Sequence, residues 1–124
     1  MPRILVIDDN AVIRGLLRLV LEEEGYEVIE AADGAEGLQR YQATPTDLVI
    51  TDLKMPGMDG LELLMALQRV VPTPALMAIS GDREALTQAK GLTPHTFAKP
   101  LPLEQVLATV RNLDLGHRSY DGTA

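Results

Sequence analysis

The chain has 124 residues, 46% of them apolar and 23% charged, with no cysteine and a formal net charge of −7. At about 150 residues per domain this is a single domain with an ordinary globular core rather than a disordered chain. The composition excludes disulfides, thiolate metal sites and cysteine nucleophiles, and the acidity argues against a general nucleic-acid binder, which gathers Lys and Arg on one face.

Short apolar runs alternate with longer helix-compatible stretches. Arg3–Asp8 carries Ile-Leu-Val-Ile before an acid, the continuous apolar pattern of a strand buried on both faces. Residues 11–24 read as a helix stopped by Gly25. Residues 26–32 form a second, more polar strand, as suits a sheet edge, and residues 35–43 a short helix broken by Thr44-Pro45-Thr46. Residues 47–52 are a third buried strand, Met55-Pro56-Gly57 a loop and residues 60–70 a third helix. A strand over 74–80, a short helix over 82–90, a strand over 93–98 and a helix over 103–113 complete the series. The folded domain is expected to span residues 1–115, with 116–124 a flexible tail. The uncharged stretch from Val70 to Gly81 holds two prolines and is too short for a bilayer, which takes about 20 residues. Met1–Asp9 is too short for a signal peptide. The reading is therefore a soluble, cytoplasmic protein with no membrane association and no direct nucleic-acid binding.

Each connection is long enough to carry a helix, so the strands can run parallel. The alternation points to an α/β fold, a doubly wound parallel sheet with helices on both faces. In such folds ligands bind beyond the carboxyl ends of the strands. Asp8 and Asp9 follow the first strand, Asp52 ends the third, Ser80 ends the fourth and Lys99 follows the fifth. Taken singly, each has a bland reading. Asp9 or Asn10 would cap the first helix, Lys99-Pro100 would make a turn and Ser80-Gly81 a loop. Their conjunction at one edge of the sheet is what points to a site.

Three crowded carboxylates need a counter-charge. An oxygen-only donor set without His or Cys suits Mg²⁺ rather than zinc. A divalent cation plus the Lys99 ammonium would cancel the three acids. Such a site can receive a phosphoryl group, its oxygens neutralised by metal and ammonium and hydrogen-bonded by the Ser80 hydroxyl. A central carboxylate can act as the nucleophile and form an aspartyl phosphate.

Val6-Ile7-Asp8-Asp9-Asn10, the stretch from Asp47 to Gly60 containing Asp52-Leu53-Lys54-Met55-Pro56-Gly57-Met58-Asp59-Gly60, Ile79-Ser80-Gly81 and Phe97-Ala98-Lys99-Pro100 together resemble the receiver domain of bacterial two-component response regulators. The likeness is to the stand-alone receivers of chemotaxis and sporulation, and runs from about Arg3 to Leu113. It implies a flavodoxin-like five-stranded sheet in the order 2-1-3-4-5. It implies a phosphorylation-dependent signalling switch rather than an enzyme, in which Asp52 accepts a phosphoryl group from a histidine kinase or histidine phosphotransfer protein. Asp8, Asp9, Asp52 and the backbone carbonyl of Lys54 would hold Mg²⁺, and Ser80 and Lys99 would bind the phosphoryl group. A downstream effector protein or domain is implied as a further partner, and a homodimer is compatible with the pattern.

Competing readings differ at particular residues. A haloacid-dehalogenase-type phosphohydrolase needs an acid two residues past its nucleophile, where this chain has Lys54, and a cap insertion for which there is no room. A flavodoxin-type flavin module needs a hydroxyl- and glycine-rich loop after the first strand, where this chain has Asp8-Asp9-Asn10. A degenerate receiver acting only as a binding module would lack key positions, all of which are present.

The chain departs from the receiver pattern in two places. Thr96 stands where an aromatic is usual, with Phe97 expected on the opposite face of the sheet. The stretch from Ser80 to Lys99 is short by about one helical turn, so a truncated fourth helix is expected, with the phosphorylation signal leaving through it and the loops around Asp82 and Lys54. The first helix also carries a surplus of apolar residues. Ile13, Leu17, Val20 and Leu21 make a core face, while Val12, Leu16 and Leu19 form a second stripe expected to dock a helix of the phosphodonor.

Overall fold

The computed structural model describes residues 1–113 and Leu115; the predicted tail lies outside them. The elements in chain order are β1 (Arg3–Ile7), α1 (Ala11–Glu23), β2 (Glu27–Ala31), α2 (Gly34–Ala43), β3 (Leu48–Asp52), α3 (Gly60–Gln68), β4 (Ala75–Ser80), α4 (Arg83–Ala89), β5 (Thr96–Ala98) and α5 (Leu103–Asn112). The sheet is parallel throughout, in the order β2-β1-β3-β4-β5. Winding reverses between β1 and β3, so the carboxyl ends of these two strands flank the crevice where doubly wound folds place their ligands.

Strand alternation divides the core into two layers. Leu5, Ile7, Val49, Leu76 and Ala78 face α2, α3 and α4, where they meet Tyr41, Leu63, Leu64, Leu67 and Leu86. Ile4, Val6, Leu48, Ile50, Met77 and Ile79 face α1 and α5, where they meet Leu17, Leu21, Val106 and Val110. Fully burying each Leu or Ile contributes about 1.5–3 kcal/mol. β1, β3 and β4 are therefore apolar at nearly every position, because both of their faces are covered. Edge strand β2 is more polar, as its sequence implies, and its Glu27 and Glu30 pair with Arg3, Arg14 and Arg18.

Helix α1 separates its two apolar stripes as its periodicity predicts. Leu17 and Leu21 are buried, whereas Val12, Leu16 and Leu19 are 79%, 40% and 57% exposed. Asn10, not Asp9, caps this helix, its Oδ1 accepting from the Val12 and Ile13 amides.

The fifth strand is shorter than its sequence suggests, beginning at Thr96 rather than at residue 93. The Thr93 hydroxyl donates to the Leu76 carbonyl at 2.6 Å, in place of a strand amide, and accepts from the His95 amide at 3.1 Å. Pro94 has no amide to give. Ladder pairing starts only where the Ala78 amide donates to the His95 carbonyl. Beside it, α4 is a seven-residue helix. Thr96 and Ala98 look toward α4 across a cavity of about 320 Å³ lined also by Arg83, Leu86, Thr87 and Lys90, while Phe97 packs into the α1/α5 layer.

Gly60 sets how closely α3 approaches the end of β3. A Cβ there would lie 2.5 Å from the Leu53 Cα and 2.7 Å from the Asp52 carbonyl oxygen, and neither backbone atom can yield. Gly15, within α1, has open space around its Cα. Gly60→Ala is expected to cost about 1–3 kcal/mol in urea unfolding. Gly15→Ala should stabilise by about 0.5–1 kcal/mol through reduced backbone entropy in the unfolded chain.

Candidate functional site

The residues singled out in the sequence converge at the carboxyl edge of the sheet. Asp8, one residue past β1, is 2% exposed, and Asp52, the last residue of β3, is 5% exposed. Asp9 is exposed beside them. Carboxylate oxygens of Asp8, Asp9 and Asp52 lie within 4.8 Å of one another. Ser80 is fully buried at the end of β4.

Each carboxylate is oriented by specific donors. The Asn10 amide donates to Asp8 Oδ1 at 2.9 Å. The Lys54 amide donates to Asp52 Oδ1 at 3.2 Å. The Lys99 ammonium lies 3.0 Å from Asp52 Oδ2 and 3.3 Å from Asp8 Oδ2, spanning both strands. Lys99 reaches them because its own amide donates to the Ser80 carbonyl, extending the β4–β5 pairing past the last strand residue. The Ser80 hydroxyl accepts from the Asp82 amide at 3.0 Å.

Burial, then the Asp52 charge, pushes the Asp8 carboxyl above the usual carboxylate range against the opposing Asn10 amide and Lys99. Burial works against the charge on Lys99, but its hydrogen bonds and proximity to Asp52 and Asp8 outweigh this and hold its pKa above the ordinary lysine value. The site is thus a compact, oxygen-lined and anionic pocket with a single ammonium between its two buried acids, a donor set that fits a hard divalent cation.

Two supporting residues carry little sequence signal. Arg14 Nη1 donates to the Asp8 carbonyl at 2.7 Å while its Nε pairs with Glu30, tying the β1–α1 loop to the edge strand. Asp82 caps α4 through the Glu84 and Ala85 amides and pairs with the Lys54 ammonium at 3.3 Å. Arg14 lies on α1, where a charged residue reads as a solvated face, and the Lys54–Asp82 pair joins two loops that the sequence leaves apart. Among the described residues, no helix is long and apolar enough to cross a membrane.

A doubly wound sheet with paired acids after its first strand, an aspartate ending the third, and a serine and lysine ending the fourth and fifth defines an acidic, phosphoryl-accepting class of α/β protein. Residues 4–111 match the response regulator receiver domain, and the chain belongs to that family. It is 34% identical over 116 residues to sporulation initiation phosphotransferase F of Bacillus subtilis, an alignment covering 88% of this chain and 90% of that one. It is 36% identical over 114 residues to the transcriptional regulatory protein ResD of the same organism, where it spans only 47% of the longer protein. Its fold superposes with a TM-score of 0.84 and 31% identity on the response regulator TrrA of Thermotoga maritima, determined in complex with Mg²⁺ and beryllium fluoride, covering 91% of this chain and 99% of that one. The phosphohydrolase, flavin-module and binding-only alternatives draw no support from these relatives.

The raised pKa of Asp8 has a consequence for stability. Its ionised form is disfavoured in the folded state, so the penalty is absent below the unfolded value near 3.8 and grows as pH rises through the folded value. In chelator at pH 7, Asp8→Asn is therefore expected to melt at a higher temperature than the wild type. The gap should narrow as the pH is lowered toward 4, as differential scanning fluorimetry across pH would record.

Proposed function

We propose that the chain is one receiver domain spanning residues 1–115 and that Asp52 is its phosphoacceptor. The carrying observation is the Asp52 carboxylate, withdrawn from water beside Asp8 and Asp9 and gripped by the Lys99 ammonium and the Lys54 amide. One Asp52 oxygen attacks the phosphorus of a phosphohistidine. The phosphorus–nitrogen bond breaks, imidazole leaves with the electron pair, and an acyl phosphate remains on Asp52. Asp8, Asp9, Asp52 and the backbone carbonyl of Lys54 would hold Mg²⁺, which when bound supplies charge neutralisation for the phosphoryl oxygens. Lys99 pairs with the transferred group, and Ser80 turns its hydroxyl to donate to it. The domain assists its own phosphorylation and dephosphorylation but does not turn over a substrate as an enzyme does.

The donor is a histidine kinase or a histidine phosphotransfer protein in the cytoplasm. The exposed stripe of Val12, Leu16 and Leu19 begins two residues after Asn10, adjacent to the acidic pocket, where a donor helix would dock while presenting its phosphohistidine to Asp52. The recipient of the signal is a downstream effector protein or domain.

With acetyl phosphate and Mg²⁺, intact-mass measurement should show one labile phosphoryl adduct, and Asp52→Asn or excess chelator should abolish it. An undiminished adduct in Asp52→Asn would remove the assignment. The double substitution Leu16→Ser, Leu19→Ser is expected to slow transfer from a phosphohistidine donor about tenfold or more while leaving acetyl phosphate labelling unchanged.

A further inference from the structure

Lys54 joins two loops that flank the pocket. Its amide donates to Asp52 Oδ1 at 3.2 Å, yet its ammonium turns away to Asp82 Oδ2 at 3.3 Å. Asp82 is engaged on every side. Its Oδ1 caps α4, its amide donates to the Ser80 hydroxyl, and its Oδ2 holds Lys54. Beneath the pair is a cavity of about 160 Å³ whose other charged lining residues, Asp59 and Glu84, are also acids.

This ion pair is easily exchanged. The side chains of Lys54 and Asp82 are 65% and 39% exposed, and pairs so placed contribute little. Charge balance supplies the reason to exchange. With a divalent cation bound, Asp8, Asp9, Asp52 and Lys99 sum to neutrality. Converting Asp52 to an acyl phosphate replaces a monoanion with a dianion and leaves the pocket one charge short of balance. Lys99 is already shared between Asp52 and Asp8. Lys54 is the cation whose backbone already touches Asp52, and its flexible four-carbon stem carries a point charge that can swing.

We infer that Lys54 is a second phosphoryl-binding ammonium, held in reserve by Asp82 and transferred to the phosphoryl oxygens when Asp52 is loaded. The inference rests on Asp52 as phosphoacceptor. The exchange strips Asp82 of its cation while Ser80, bonded to the Asp82 amide, turns toward the same group. Both changes fall on the residue that caps α4.

A double-substitution cycle tests this, with beryllofluoride and Mg²⁺ as probe and ¹⁹F NMR titration as readout. Asp82→Asn keeps a good helix cap and removes the competing charge. Lys54→Gln keeps the backbone amide and carbonyl and removes the ammonium. Asp82→Asn should tighten beryllofluoride binding about two- to fivefold, and Lys54→Gln should weaken it about tenfold. In the Lys54→Gln background, Asp82→Asn should change nothing. An equal tightening by Asp82→Asn in both backgrounds would reduce its role to a long-range charge effect and overturn the inference, as would an unchanged affinity in Lys54→Gln. Asp52→Asn is the separate control. If it still bound the probe, or the wild type did not, the phosphoacceptor assignment itself would fall and take the inference with it.

Discussion

Asp8 and Asp52 are carboxylates withdrawn from water at the ends of neighbouring strands, and one ammonium, Lys99, spans them at 3.3 and 3.0 Å. Like charges so placed repel, and burial deprives them of the water that would screen the repulsion. Lys99, the Asn10 amide and the Lys54 amide compensate in part. What remains is an anionic pocket with an unmet demand for positive charge. That demand for positive charge, set among oxygen donors alone, is the one a hard divalent cation fits.

The rest of the fold supplies the rigidity that such crowding requires. β1 and β3 lie side by side at the centre of the sheet, covered on both faces by Leu, Ile and Val, so Asp8 and Asp52 cannot move apart by bending their strands. Gly60 lets α3 start directly against the end of β3, and Arg14 ties the Asp8 carbonyl to the edge strand through Glu30. A packed interior is far stiffer than a surface loop. The carboxylates of Asp8 and Asp52 are accordingly held at the ends of buried strands, while Lys54 and the α4 cap Asp82 lie on loops.

Much of this was legible from residue order because buried parallel strands write themselves as unbroken apolar runs. Ile4–Ile7, Leu48–Ile50 and Leu76–Ile79 mark the central strands, and Asp8, Asp52 and Ser80, at or just past the ends of those strands, mark the functional edge. The strand order was not written that way; it came with the family likeness, since periodicity says which face a residue takes but not which strand lies beside it. β5 starts later than the residue pattern implies, because Thr93 looks like a strand residue but its hydroxyl takes the Leu76 carbonyl that a strand amide would have used. The Lys54–Asp82 pair is illegible in residue order because it joins two separate crossovers, and Arg14 because a charged residue on a helix does not show that it folds back onto the strand ends.

The two margins of the sheet carry a consequence for how the molecule meets others. On one side, β2 bears Glu27 and Glu30, each held by arginines. On the other, β5 is only three residues long, with Pro94 and Pro100 close on either side. Neither margin offers the long, uncharged ladder onto which another strand could zip. Recognition is thereby directed to helix surfaces and the loops above the carboxyl edge, where side-chain identity can distinguish one partner from another. Main-chain pairing, largely indifferent to sequence, has little to grip.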